Sequence, residues 1–155
     1  MASPSSAAIF ILFLLSTAWL LPSEAQLPQL IKGIKVGGIL YCSPDGNYCP
    51  TCQGLVGVNV TIFCNIGSNN YTTYALTGPD GIIDEVLDIV DGLLFGITPI
   101  SCVATVQLPV LNCALLPTIG LLQATLIITG NLISGLLGLL LKAVVGVFHL
   151  ISVIH

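Results

Sequence analysis

The chain has 155 residues, of which 55% are hydrophobic and only 6% charged, with three Lys, no Arg and seven acidic residues. A soluble domain is ordinarily about a quarter charged, so this composition argues against a charge-solvated coiled coil and a disordered tail. The lack of a basic patch argues against a nucleic-acid binder. Five of the seven acids lie between Asp80 and Asp91. The remaining surface is therefore nearly uncharged, which indicates a membrane protein or a protein of an apolar boundary.

The first 25 residues have the pattern of a secretory signal peptide. An apolar run from Ala7 to Leu21 precedes the small residues Ser23 and Ala25, which occupy the positions that a signal peptidase requires. No Lys or Arg precedes the run, which leaves an uncleaved anchor as the alternative. We expect cleavage after Ala25, so that the mature chain comprises a secreted β-domain, residues 26–129, and a C-terminal segment packed on it, residues 130–155.

Cysteines and sequons agree with secretion. An even number of Cys in an oxidising compartment predicts three disulfides, whose pairing the sequence leaves open. Asn59 and Asn70 each begin an Asn-X-Thr sequon and are the candidate glycosylation sites. The six cysteines are Cys42, Cys49, Cys52, Cys64, Cys102 and Cys113.

Short strands separated by Gly and Pro turns are predicted for most of the mature chain. Pro-Asp-Gly turns occur at 44–46 and 79–81, and the polar stretch 67–70 is predicted as a loop. This pattern indicates a mainly β fold, a small antiparallel β-sandwich or barrel with disulfides. The predicted strands are 34–42, 56–63, 72–76, 82–87, 102–107 and 123–129.

The acidic segment after the second of these turns fits two structures. Ile83, Val86, Leu87 and Val90 recur at helical spacing, although the beginning of the segment also fits a strand. We predict a short strand to Leu87, followed by a short helical turn near 88–95 with Asp88 as its N-cap.

Residues 130–155 form a hydrophobic C-terminal segment in which Lys142 is the only fixed charge. A helix over 127–148 would be long enough to cross a bilayer core of about 30 Å. Insertion of this helix into a bilayer is opposed by the four glycines of the segment and by the polar side chains of Asn131 and Lys142. We therefore predict a segment that can be helical and that packs on the domain or on a second copy. A membrane span and a lipid-anchor signal are the alternatives, although the polar spacer of such a signal is missing.

Few residues could support catalysis. The only histidines, His149 and His155, lie in the apolar tail without a nucleophile motif, which disfavours a hydrolase. The carboxylates of Asp84, Glu85 and Asp88 could serve glycoside hydrolysis, but so dense a run is more typical of a solvated face. We predict no enzymatic activity and no cofactor.

Metal and redox motifs are incomplete. Cys49-Pro50-Thr51-Cys52 has the CxxC spacing of a redox pair or of half a zinc site, but it leads into a strand and lacks a second CxxC. The aspartates between Asp80 and Asp91 lack the spacing of an EF-hand loop. We therefore predict structural disulfides and no metal.

Several local patterns of the mature chain coincide with those of one family. The sequence resembles the phylloplanins, small secreted plant proteins that are themselves similar to the pollen-allergen and extensin-like domains. The motifs that carry the resemblance are GGILYCS at 37–43, GLVGVNVTIFC at 54–64, Pro-Asp-Gly-Ile-Ile at 79–83, CVATVQLPVLNC at 102–113 with Pro109, and the apolar tail from Gly130.

The resemblance implies a secreted β-sandwich or barrel on plant surfaces that inhibits germination of fungal or oomycete spores without enzymatic activity. It implies that Cys49 and Cys52 are a local pair added to four family-like cysteines. The implied partners are the microbial spore surface or the plant cuticle or cell wall, with self-association through 130–155 and no nucleic acid. An extensin-like cell-wall structural or carbohydrate-interacting module is the alternative, and a membrane protein anchored by its tail is the second.

Overall fold

The computed structural model describes residues 30–136 and 138–151. Within them the chain forms seven β-strands and one 3-10 turn, Pro79–Gly81, and contains no α-helix. The predicted signal peptide, 1–25, and His155 lie outside the described residues. The strands are β1 (Leu30–Ile39), β2 (Asn59–Ile66), β3 (Asn69–Leu76), β4 (Ile82–Leu94), β5 (Ile100–Gln107), β6 (Leu121–Ser134) and β7 (Leu139–Ile151).

All seven strands belong to one sheet, in the order β3-β2-β5-β6-β7-β1-β4. The two edge strands, β3 and β4, lie against each other, so the sheet is nearly closed and barrel-like. Alternate residues point inward, because successive side chains of a strand face opposite sides. In β2 the inward residues Val60, Ile62 and Cys64 are fully buried, and equivalent positions of the other strands complete a single core. The prediction of a mainly β fold is therefore confirmed.

The prediction that the C-terminal segment can be helical is wrong. Residues 139–151 form β7, which lies inside the sheet between β6 and β1. Leu141 and Ala143 are fully buried, whereas Lys142 and Val144 face outward. The alternation of inward and outward residues in β7 could not be recognised from hydrophobicity, because apolar residues occupy both faces of this strand. In the described part of the chain, no helix has the length and apolar character needed to cross a membrane.

The predicted helical turn near 88–95 is also wrong, since β4 continues to Leu94. The strand is irregular here: Gly33 of β1 faces Asp88, whereas Ile31 faces Leu93. Four residues of β4 therefore stand opposite one residue of β1. Ile89 is buried in this bulge, and its contribution to the core outweighs the helical spacing of the sequence.

Two details of the pairing differ from the prediction. One strand pair, β1 with β7, is parallel, whereas the other pairs are antiparallel. The predicted loop 67–70 is shorter than expected, because Ile66 pairs with Asn69 and leaves Gly67 and Ser68 as a two-residue turn. Gly67 has a φ of 61°, which the tight turn requires and which glycine adopts without strain.

Candidate functional site

The described cysteines form three disulfides, as predicted. Cys64 of β2 and Cys102 of β5 are direct cross-strand neighbours, and their disulfide is buried in the core. The Cys42–Cys113 bond joins the segment after β1 to the loop between β5 and β6, across 71 residues of sequence. The CxxC cysteines, Cys49 and Cys52, bond to each other.

The residues considered for catalysis do not converge. His149 lies on the exposed side of β7, opposite Gln123 of β6. Asp84 and Asp88 are exposed on β4, and β1 separates β4 from β7 in the sheet. Asp84 forms an ion pair with Lys35 at 2.9 Å. Among residues 30–136 and 138–151, no three His, Cys, Asp or Glu side chains are grouped as metal ligands.

A short loop after β1 is attached to β7 by the amide of Asn47. Its Nδ2 donates to the carbonyl of Phe148 at 2.9 Å, and its Oδ1 accepts from the Phe148 N–H at 2.7 Å. Within the loop, Asn47 also donates its backbone N–H to the Asp45 carboxylate. Hydrogen bonding by Asn47 lowers the pKa of Asp45 below its usual value. The loop thereby continues the edge of β7 beyond the end of β1.

The two sequons lie on the outer face of the β2–β3 hairpin. Asn59 and Asn70 are both exposed, and Asn70 pairs with Asn65 of β2. Six residues of strand therefore separate the two sites along the hairpin, or about 20 Å. This geometry leaves both amides open to solvent on one side of the sheet, and their glycosylation stays a prediction.

An exposed apolar surface covers the outside of β6, β7 and the end of β1, and we call it the β7 face. Ile127 of β6 and Val144 of β7 are cross-strand neighbours that are 57% and 36% exposed. A groove of about 610 Å³ crosses this surface where the β1–β7 ladder ends. The exposed side chains of the β7 face are Ile39, Tyr48, Ile127, Val144 and Val147.

The three lysines of the chain all lie on β1 or β7. Lys32 and Lys35 belong to β1, and Lys142 belongs to β7. Lys35 and Lys142 are cross-strand partners, two residue pairs from Gly37 and Val144 and on the same outer side. Lys35 is bound to Asp84, whereas Lys142 forms no ion pair with any described residue. The available positive charge therefore borders the apolar surface.

A second group of exposed apolar residues lies on the loops at one end of the barrel, and we call it the loop-end group. Two of its residues, Val56 and Leu111, line a cleft of about 420 Å³ whose polar lining includes Asn59, Gln107 and Asn112. Because Asn59 carries a sequon, any sugar attached there would lie beside this group. Its members are Val56, Leu111, Leu115 and Ile119, which are 58–84% exposed.

Sequence reasoning missed the β7 face because it assigned residues 130–155 to one apolar segment. The one available signal was Lys142, a charge between two buried neighbours, Leu141 and Ala143. That arrangement fits a strand better than a helix. Comparison with known proteins does not assign the surface either: the chain matches no protein-family model, no curated protein and no solved structure.

Proposed function

We propose that this chain is a secreted, non-enzymatic defence protein of the plant surface that inhibits germination or growth of fungal or oomycete pathogens. The observation that carries the proposal is the exposed apolar β7 face on a disulfide-linked β-barrel. A protein that works at the boundary between an apolar cuticle and water needs apolar side chains outside as well as inside. The resemblance to phylloplanins supports the biological setting.

The disulfides suit this role because they allow the outer surface to be apolar without loss of the fold. Structural disulfides form and persist in oxidising compartments such as the cell exterior. Here one bond lies in the core and a second holds the loop between β5 and β6 against the segment after β1. Exposed apolar residues contribute little to stability, so the covalent links and the core must hold the fold at the surface.

A germination assay tests the proposal. Purified mature protein, residues 26–155, is added to spores of a fungus and of an oomycete, and germ tubes are counted. The matched control is the same protein reduced and alkylated at its six cysteines. We expect inhibition by the oxidised protein and little by the control. Equal germination with and without oxidised protein, over the whole soluble range, would contradict the proposal.

The predicted secretion has a separate test. N-terminal sequencing of protein recovered from the extracellular fluid of the producing tissue should begin at Gln26, and non-reducing mass mapping should find no free thiol. Recovery only inside cells, with Met1 retained, would contradict secretion.

A cell-wall carbohydrate module is a second candidate, and the loop-end cleft favours it. Amide side chains such as those of Asn59, Gln107 and Asn112 can hydrogen-bond sugar hydroxyls. Pull-down on insoluble wall polysaccharide tests this function. Retention that is lost in Gln107→Ala and Asn112→Ala would favour the wall module over the defence protein.

A further inference from the structure

Two sides of the barrel differ in whether they carry sequons. The β2–β3 side carries both sequons, and its outward residues near them include Thr61, Thr72 and the exposed aromatic side chains of Phe63 and Tyr74. The β7 face lies three positions along the strand order from β2, and so on the other side of a nearly closed sheet. It contains no sequon among its exposed residues. Sugars on Asn59 and Asn70 would therefore leave the β7 face uncovered.

The β7 face is too small to be a stable dimer interface by itself. A stable interface buries roughly 800 Å² on each partner, and four partly exposed aliphatic side chains with one tyrosine offer much less. An extended, shallow apolar surface can instead bury its side chains in a lipid layer, where shape complementarity is not needed. Contiguous exposed apolar patches commonly mark such contact sites.

The charged side chains around the β7 face indicate which lipid headgroups this surface would contact. A lysine at the border of an apolar surface can bury its methylene stem and place its ammonium among headgroup phosphates. Lys142 is in this position, two residues from Val144 on the same side of β7, and it has no ion-pair partner among the described residues. Two carboxylates near the β7 face are already bound. Asp84 lies across Gly37 from Val144 and forms an ion pair with Lys35, and Asp45, in the loop beside the groove, accepts hydrogen bonds from Ser43 and Asn47.

We propose that the β7 face is a lipid-docking surface that binds a bilayer containing anionic phospholipid, with Ile127, Val144 and Val147 in contact with the acyl layer and Lys142 with the phosphates. This inference rests on the proposed function, because it names the surface with which a secreted defence protein would contact a microbial membrane. Docking is non-covalent and leaves the barrel folded.

Vesicle flotation with paired variants tests the proposal. Val147 and Val56 are a matched pair, 62% and 59% exposed, on the β7 face and in the loop-end group respectively. Purified mature protein and the variants Val147→Asp and Val56→Asp are floated with vesicles of phosphatidylcholine, alone or mixed with phosphatidylglycerol. We expect Val147→Asp to lower the partition coefficient at least about tenfold and Val56→Asp to leave it nearly unchanged.

Val147 lies in a bulge of β7, where Gly146 and Val147 together stand opposite Thr125 of β6. A second pair of variants therefore controls for a folding defect at this bulge. Ile127→Ser lies on the β7 face and Ile119→Ser in the loop-end group, and circular dichroism checks the fold of each. Lys142→Gln should weaken binding to the anionic vesicles about fivefold and to neutral vesicles much less.

Three flotation results would overturn the inference: loss of binding in the loop-end variants but not in the β7-face variants, equal binding by all variants, or no flotation of the unmodified protein. A dimer in light scattering that Val147→Asp dissociates, without vesicle binding, would assign the face to a second copy and also overturn it. The germination assay is independent. Inhibition by protein that does not float would retain the proposed function and reject lipid docking.

Discussion

Two polar side chains, Ser43 and Thr77, are buried among the described residues, each only 2% exposed. Thr77 lies between β3 and the 3-10 turn. Its hydroxyl accepts from the Val58 N–H at 2.9 Å and donates to the Leu55 carbonyl. One side chain thus satisfies two backbone groups of the segment before β2, which also exchanges backbone hydrogen bonds with Thr77 at Gly57 and Val58.

Thr77→Val should destabilise the protein by about 2 to 4 kcal/mol, because it keeps the volume but leaves a buried N–H and a buried carbonyl unpaired. Urea denaturation of the oxidised protein measures this change. Thr125→Val is the control, since Thr125 is exposed on β6 and should change stability by no more than about 0.5 kcal/mol. Equal effects of the two substitutions would contradict the role of the Thr77 hydroxyl.

Two glycines bring the segments at the loop end into backbone contact. An added Cβ on Gly54 would overlap the carbonyl of Asp80, and one on Gly81 would overlap the carbonyl of Leu40. These contacts accompany the hydrogen bonds from Leu40 N to Gly81 O and from Leu55 N to Leu40 O, both 2.9 Å. The close approach therefore holds β1, the 3-10 turn and the segment before β2 together.

Gly54→Ala should consequently be far more destabilising than Gly57→Ala. At Gly57 the φ of 75° is unfavourable for alanine, but nothing lies within 4 Å of an added Cβ, so the cost is about 1 to 2 kcal/mol. At Gly54 the backbone itself must move. Thermal unfolding of the two variants compares them, and a Tm for Gly54→Ala equal to or above that of Gly57→Ala would disprove the close approach.

The positions of the turns could be predicted from the sequence, but the distant residues that the turns contact could not. Pro79-Asp80-Gly81 was recognised as a turn from its composition, and Asp80 and Gly81 indeed have positive φ values. That Gly81 contacts Leu40, and that Thr77 bonds Leu55 and Val58, depends on segments distant in sequence. No local pattern encodes such contacts.

At the scale of elements, the position of β4 explains the concentration of acids. β4 is an edge strand that lies against β3 without a hydrogen-bonded ladder between them, and free backbone groups at such an edge favour intermolecular pairing unless charges oppose it. Asp84, Asp88 and Asp91 are exposed on this strand. Their repulsion would keep copies of an otherwise weakly charged protein apart.

Neutralising the end of this edge should therefore promote self-association. We expect the double variant Asp88→Asn, Asp91→Asn to form larger species at concentrations where the unmodified protein is monodisperse. Asp84 is retained in the variant because it binds Lys35. Light scattering over a concentration series measures the change, with the loop variant Asp45→Asn as control. Association that is the same in both variants would refute a protective role of the β4 acids.

The disulfides differ in what they connect and in how accessible they are. The loop-entropy relation assigns about 4 kcal/mol to each of the two long-range bonds and about 2 kcal/mol to Cys49–Cys52, which closes a separation of 3 residues. Cys64 and Cys102 are 0% and 2% exposed, whereas Cys49 and Cys52 are partly exposed.

Stepwise reduction should break the more exposed disulfides before the buried one. With increasing dithiothreitol and alkylation of the released thiols, mass mapping should find Cys49 and Cys52 labelled first and the buried pair last. The double variant Cys49→Ser, Cys52→Ser should lose about 2 kcal/mol of stability, and Cys42→Ser, Cys113→Ser about 4 kcal/mol. Early labelling of Cys64 would show that the core opens before the CxxC loop.

A strand could be predicted from the sequence only where polar residues occupy its outer side. β2 was recognised because Asn59 and Thr61 alternate with Val60 and Ile62. β7 was not, because its outer side is apolar as well, and that same property makes it the candidate surface. The parallel pairing of β7 with β1 could not be predicted, since it joins segments more than 100 residues apart.

At the scale of the whole molecule, the sequons and most of the acids occupy separate parts of the barrel. The sequons lie on β2 and β3, and five of the acids lie in the 3-10 turn and β4. Exposed apolar side chains also occur elsewhere, such as Leu76 of β3 and Val90 of β4, but the β7 face is a side of the barrel where several of them adjoin without a sequon. Such an arrangement orients a protein at a boundary between water and lipid.

Enzymatic removal of N-linked sugars should change self-association through the β2–β3 side and leave vesicle binding by the β7 face intact. Loss of sugar from Asn59 and Asn70 would uncover the outward aromatic side chains Phe63 and Tyr74 of the β2–β3 side and should increase self-association, since nothing charged replaces the sugar there. Vesicle binding should persist, because the sequons are remote from the β7 face. Flotation and light scattering on the same deglycosylated sample measure both effects, with Asn59→Gln and Asn70→Gln locating each. Binding that disappears with the sugar would place the lipid contact on the β2–β3 side.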